Sequence, residues 1–245
     1  MSSFKKINRL LSQQRSGVKS ASISKAMAYA NAIASLENAI VVVSDLLAGS
    51  SRIVAGRFAS VLGLELLQNE SSIWERQILS LMSEQEQDRK FISELRFFNF
   101  IMRLPPSKRS NYHLETKLRI SNPSGKEVDV LHKMYYLFSE DYSKVECAVC
   151  VYLPLSVTVD FHAAAIDTVG GRIEVINSQS DGNVLSAREL QVLSCVDAGL
   201  TSAEIATRLN ISANTVSRHR QQIIAKLQVK NSIEACRIAK SMKLI

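Results

Sequence analysis

Three groups of residues in this chain have types and spacings that could do chemistry. Cys147 and Cys150 stand in "KVECAVCVYLPL" as a lone CxxC, the spacing of half a zinc site or of a redox dithiol. Asn214, Arg218 and Gln221 stand in "ISANTVSRHRQQIIAKL", and their side chains are of the kinds that meet base edges. The third group is the histidines. His113, His132 and His162 have no Cys or acidic partner at metal-like spacing, and His219 falls beside an apolar stripe, where a packed role fits better than a catalytic one. Nothing resembles a nucleophile elbow, a phosphate-binding loop or a paired-glycine fingerprint, so neither an enzyme nor a bound cofactor or metal is expected.

The elements that carry these residues decide between the readings. Around the CxxC the apolar and β-branched residues predict a strand, in which positions three apart point to opposite faces. Two thiolates so placed cannot converge on one metal without a bulge, and no second CxxC or His pair completes a site. Burial is therefore the expected role of Cys147 and Cys150. Cys195 and Cys236 fall on apolar helical stripes and are expected to pack likewise.

Charge is unevenly spread. Residues 1–40 hold six Lys/Arg and one acid, and residues 182–245 hold nine and four. The middle, 41–181, holds fifteen against eighteen, so two basic ends flank a mildly acidic body. That asymmetry points to a nucleic-acid surface confined to part of the chain. The most apolar stretch, Ala26 to Ala48, is interrupted by Asn31, Glu37, Asn38 and Asp45. No membrane span or export signal is expected, and the expected compartment is the cytoplasm.

The pattern divides the chain into a polar basic tail (1–20) expected to be disordered, a mixed region (21–176), a linker (177–183) and a helical block (184–245). Ala21 to Asn38 shows Ile23, Met27, Ala30 and Ala34 at helical spacing. It is expected to pack on its own domain or on a partner helix. "AIVVVSD" and "SRIVAG" predict two short strands, and "FASVLGL", "SIWERQILSLM" and "QDRKFISELRFFNFIMRL" predict helices. Pro105 and Pro106 end the last of these. "NYHLETKLRI", "KEVDVLHKMYYLF" and "VECAVCVYL" predict a three-strand meander, and "AAAIDTVGGRIEVI" a hairpin turning at Gly170-Gly171. From about Ile40 to Leu155 this order resembles the PAS sensor fold, in which an antiparallel sheet cups a small cavity against helices.

Caps define the C-terminal helices. Ser186 with Glu189 and Thr201 with Glu204 are capping boxes, Ser212 and Asn231 are good N-caps, and Gly199 can end the first helix in the left-handed region. Four helices follow, with a minimal turn at Asn210 between the second and third. In the third, Val216, Ile223 and Leu227 form the inward stripe. Asn214, Arg218, Gln221 and Ala225 lie nearly opposite it at 100° per residue, flanked by Ser217 and Gln222. Two helices joined by a short turn, the second turning Asn, Arg and Gln outward, form a helix-turn-helix. Arg220 lies toward the buried flank, where covering that flank and touching phosphate are both open.

Leu185 to Ile245 closely resembles the LuxR-type helix-turn-helix domain, through "LSARELQVL", "AGLTSAEIATRLNIS", "NTVSRH" and "IIAKLQV". The resemblance implies that the third helix enters the major groove of double-stranded DNA and that the fourth supports dimerisation. It places Ser212 and Thr215 at phosphate contacts and Ser217, Arg218 and Gln221 at base-facing positions. Lys226 takes the place of the family's basic residue near the helix end. Many members carry Lys where Ser217 stands. Ile233, Cys236 and Arg237 on the fourth helix are candidate partner-facing residues, and the helix at Ala21 to Asn38 with the PAS-like sheet is a second candidate seam, the one expected to hold the stable dimer.

The expected fold class is thus α+β, a PAS-like antiparallel sheet with helices followed by an all-α four-helix domain. The expected function is sequence-specific transcription regulation by a homodimer, with RNA polymerase as a further partner and the PAS-like domain as modulator. Two alternatives stay open for that domain: a ligand-free interaction or dimerisation module, or a small-molecule sensor of the quorum type. Against the latter, this chain has only Trp74, where acyl-homoserine-lactone sensors carry several tryptophans. "AIVVVSDLLAG" offers only Asp45, too few acids for a phosphoacceptor receiver. An Asn-Cys-Arg flavin motif and a sigma factor's second promoter-binding region are both missing.

Overall fold

The computed structural model describes residues 7–8, 10–11, 21–64, 66–177, 185–227, 229, 231–241 and 244–245. They form two compact units, Ile7–Val175 and Ile176–Ile245.

In the N-terminal unit, helix α1 (Ala21–Leu36) leads into strands β1 (Ile40–Asp45) and β2 (Ser50–Ala55). Helices α2 (Phe58–Val61), α3 (Arg76–Leu79) and α4 (Glu84–Arg103) follow. A 3-10 turn, Pro106–Asn111, opens the meander β3 (Tyr112–Ser121), β4 (Glu127–Phe138) and β5 (Val145–Pro154). Strands β6 (Ala163–Asp167) and β7 (Ile173–Val175) complete one antiparallel sheet of order β2-β1-β5-β4-β3-β6-β7. Two leading strands, intervening helices and a meander that closes back on β1 make the unit PAS-like. The expected Gly170-Gly171 hairpin is β6–β7, and it extends the sheet by pairing β6 on β3.

Both faces of the sheet's centre are covered. Ala26, Ala30 and Ala34 of α1 pack on Val41, Val43, Cys147, Val149 and Val151. Three alanines one turn apart let a helix lie close to β-branched strands. The other face carries Leu114, Thr116 and Leu118 of β3, His132, Met134 and Tyr136 of β4, and Cys150 and Tyr152 of β5, all buried. Because β5 is buried on both sides, its sequence reads as a continuous apolar run, without alternation. As expected, Cys147 and Cys150 lie on opposite faces. Burial pushes the Cys147 thiol up to about 12 and the Cys150 thiol well above its ordinary value.

Two expectations are corrected. The tail is not wholly disordered: residues 7, 8, 10 and 11 are helical, and Ile7, Leu10 and Leu11 are buried. Apolar residues at i, i+3 and i+4 make a helical stripe that survives its basic neighbours, and Trp74 Nε1 donates to Asn8 Oδ1 at 2.6 Å. The rest of the tail, and the linker beyond Asn177, lie outside the described residues. The helix expected over "SIWERQILSLM" is one turn, Arg76–Leu79. Glu75 at its start is drawn into the core instead of capping it. Helix α4 buries polar as well as apolar side chains: Lys90, Ser93, Glu94 and Asn99 are buried with Phe91, Leu95 and Phe98.

Candidate nucleic-acid interface

The C-terminal unit comprises α5 (Ala187–Asp197), α6 (Ser202–Leu209), α7 (Ala213–Lys226) and α8 (Ser232–Ser241). Both capping boxes form. Ser186 Oγ accepts from Glu189 N while Ser186 N donates to Glu189 Oε2 at 2.6 Å, and Thr201 with Glu204 repeats the arrangement. Gly199 takes φ 83° after α5, and Asn210 takes φ 53°, ψ 52° after α6. A non-glycine residue in the left-handed region tightens the α6–α7 connection to three residues, Asn210, Ile211 and Ser212. Asn231 Oδ1 accepts from Glu234 N at 2.9 Å and caps α8. The apolar side chains Leu185, Val192, Leu193, Ile205, Val216, Ile223, Leu227, Ala235 and Ala239 form one core.

Helix α7 lies against α5, α6 and α8. With Val216, Ile223 and Leu227 in the core, Asn214, Ser217, Arg218 and Gln221 are all exposed on its far side. Among the described residues none of these four side chains is tied to the protein by a hydrogen bond or ion pair, so their polar groups are free to meet a partner. Ser212 is exposed, and its Oγ accepts from Thr215 N at 3.1 Å and lies 2.8 Å from Thr215 Oγ1. Thr215 is half-buried. The two hydroxyls thus sit at the N-terminus of α7, where backbone N–H groups and the helix dipole favour an anion.

Other basic residues of α7 are already engaged. Arg220 is half-buried, with Nε donating to Ser232 Oγ at 3.1 Å and Nη1 to Ser202 Oγ at 3.0 Å, so it ties α7 to α6 and α8. Lys226 Nζ lies 2.6 Å from Glu189 Oε2, joining the C-terminal end of α7 to the cap of α5. Burial pushes the Glu189 carboxyl up, but the Lys226 hydrogen bond and the contacts with Ser186 bring it below the ordinary carboxylate range. Arg188 Nη2 donates to Leu209 O at 2.5 Å and secures the end of α6. These clamps join residues 12 to 37 positions apart in sequence, a distance at which no local pattern announces them. His219 is half-buried, and its Nδ1 has no hydrogen-bond partner. On α8, Ile233 and Arg237 are exposed, but Cys236 is buried with its Sγ toward Leu193 O at 3.8 Å, so it faces the domain core and not a partner.

Residues 183–239 match the family described as "Bacterial regulatory proteins, luxR family". The transcriptional activator protein EsaR of Pantoea stewartii subsp. stewartii is 37% identical over 78 residues, which are 32% of this chain and 31% of EsaR. The transcriptional regulatory protein DesR of Bacillus subtilis is 45% identical over 56 residues, 23% of this chain and 28% of DesR. The chain thus covers about a third of the length of these relatives. Among solved structures, a VqmA–ligand–DNA complex from Vibrio cholera aligns over 87% of both chains at 14% identity and a TM-score of 0.32. A LOV protein of Rhodobacter sphaeroides aligns over 90% of this chain and 97% of its own at 12% identity and a TM-score of 0.36. With a matching family, a tight three-residue turn and an outward polar face on its second helix, the C-terminal unit is a helix-turn-helix domain of the luxR family of bacterial regulatory proteins.

Proposed function

We propose that this chain is a sequence-specific, DNA-binding transcription regulator that acts as a homodimer, with α7 reading the major groove. The observation that carries the reading is the exposed, unengaged set Asn214, Ser217, Arg218 and Gln221 on the face of α7 opposite its core stripe. Arg pairs bidentately with guanine, and Asn or Gln with adenine, so this face has the chemistry of direct readout. Ser212 and Thr215 would take phosphate at the helix start. Ser217 is a short side chain that can reach only a close base edge or phosphate. Lys226 is the exception: its ion pair with Glu189 supports a positioning role ahead of a phosphate contact.

The PAS-like unit is the proposed modulator of that DNA binding. Among the described residues, the inner face of its sheet is filled near α4 by the unit's own side chains, Glu75, Lys90, Glu94 and Tyr152. That filling favours an interaction or dimerisation module over a small-molecule sensor of the quorum type. Genome-wide occupancy followed by titration of a recovered operator tests the reading. Protein that selects no sequence over bulk genomic DNA would overturn it.

A further inference from the structure

The least ordinary chemistry among the described residues lies inside the N-terminal unit. Lys90 of α4 is 1% exposed, and its Nζ lies 2.7 Å from Glu75 Oε1 and 2.5 Å from Glu94 Oε1. Glu75 and Glu94 are each 2% exposed. Tyr152 of β5 donates its hydroxyl to Glu75 Oε1. The groups around them are Cys150 of β5 and His132 and Tyr136 of β4, all buried. None of these can supply the missing charge. The thiol and the two phenols are held neutral, and burial lowers His132 to about 3, so its ring is neutral too. Neither His132 nitrogen has a hydrogen-bond partner.

Among the described residues the count is therefore two carboxyls against one ammonium, all three side chains buried. A buried unbalanced charge is costly, because it gives up its hydration without a full counter-charge to replace it. One proton removes the imbalance with no added volume. The two carboxyls are not equivalent hosts for it: Glu75 accepts from both Lys90 and Tyr152, whereas Glu94 has Lys90 alone. We propose that Glu75, Lys90 and Glu94 form a one-proton switch, in which Glu94 is a carboxylic acid in the packed state and its ionisation loosens α4 from the sheet. This goes beyond the DNA-binding reading, and does not depend on it.

The direction of the pH response follows. Burial and the neighbouring Glu75 raise the Glu94 carboxyl, with Lys90 opposing. Burial also acts on Glu75, but Lys90 and the Tyr152 hydroxyl bring it below its ordinary value. A group with a raised folded value contributes stability that is complete below its unfolded value and is lost as pH rises through the folded one. The switch therefore opens on alkalinisation, while Glu75 stays ionised throughout.

Infrared difference spectroscopy of the full chain, neutral against alkaline buffer, reads the proton directly. Wild type should show one buried carboxylic-acid carbonyl stretch at neutral pH that disappears at alkaline pH, when circular dichroism confirms folded protein at the start. Glu94→Gln should abolish that band. Glu75→Gln should abolish it too, because a lone Glu94 facing Lys90 ionises. Absence of the band in folded wild type overturns the proposal, as does a band that persists in folded Glu94→Gln. Persistence in folded Glu75→Gln would overturn the sharing between the two carboxyls. If either variant fails to fold, the wild-type spectrum and the other variant still decide.

Discussion

At the scale of single residues, spacing alone separates the side chains that face outward from those that do not. Arg218→Ala is expected to weaken binding to the specific operator by about 1–3 kcal/mol and to leave the unfolding transition in place; fluorescence anisotropy with labelled operator, beside thermal unfolding, measures both. Lys226→Ala is expected to do the reverse. It leaves Glu189 buried without its cation, which costs about 1 kcal/mol of stability. The slope of log affinity against log salt should stay where it is, since no phosphate contact is lost. A flattened slope in Lys226→Ala would return that residue to the phosphate-binding set. The Glu189 node also has a sign in pH: its lowered carboxyl stabilises fully above the ordinary carboxylate range and loses that contribution as pH falls through the folded value. Asn214, Arg218 and Gln221 were legible because a helix's period is fixed and one stripe of α7 is plainly apolar. Lys90 and Glu94 were not. An i,i+4 Lys and Glu on a helix reads as a solvated pair, and only the arrival of Glu75 from a distant loop makes it a buried cluster.

Elements depend on a few positions where the backbone does something unusual. Asn210 holds the left-handed turn between α6 and α7, so Asn210→Ala is expected to cost about 1 kcal/mol, while Asn210→Gly costs little; chemical denaturation of both variants checks the contrast. The C-terminal helices could be read from sequence because caps are local: Ser186 with Glu189, Thr201 with Glu204, and Asn231 all announce themselves within four residues. The sheet was legible as strands but not in its full extent, because β6 pairs with β3 across some fifty positions and only the fold brings them together. Strand β5 carries a further expectation. Its alternation separates Cys147 from Cys150, so purified protein should contain no stoichiometric zinc, and Cys147→Ser/Cys150→Ser should bind no less than wild type. Elemental analysis decides this, and zinc lost in the double variant would show that the two sulfurs meet.

For the whole molecule the proposed dimer follows from arithmetic. One helix-turn-helix offers a handful of base contacts worth about 1–3 kcal/mol each, too few to hold a site against a genome of competitors. Full-length protein should sediment as a dimer and prefer a palindrome, with half-sites about one helical turn apart, over a single half-site. Equal affinity for both would end the dimer proposal. Among the described residues, no helix is long and apolar enough to cross a membrane. The placement of aromatic residues gives the molecule an optical property. Trp74 is the sole tryptophan, buried and edge-on to Phe91 with ring centroids 5.5 Å apart, and every tyrosine and phenylalanine also precedes Ile176. The luxR-family domain is therefore dark in the near ultraviolet, and the indole emission belongs to the PAS-like unit alone. Operator DNA that engages only α7 should leave that emission unchanged after correction for its own absorbance. Any shift in colour or intensity would report news of DNA reaching the other unit, with no label attached.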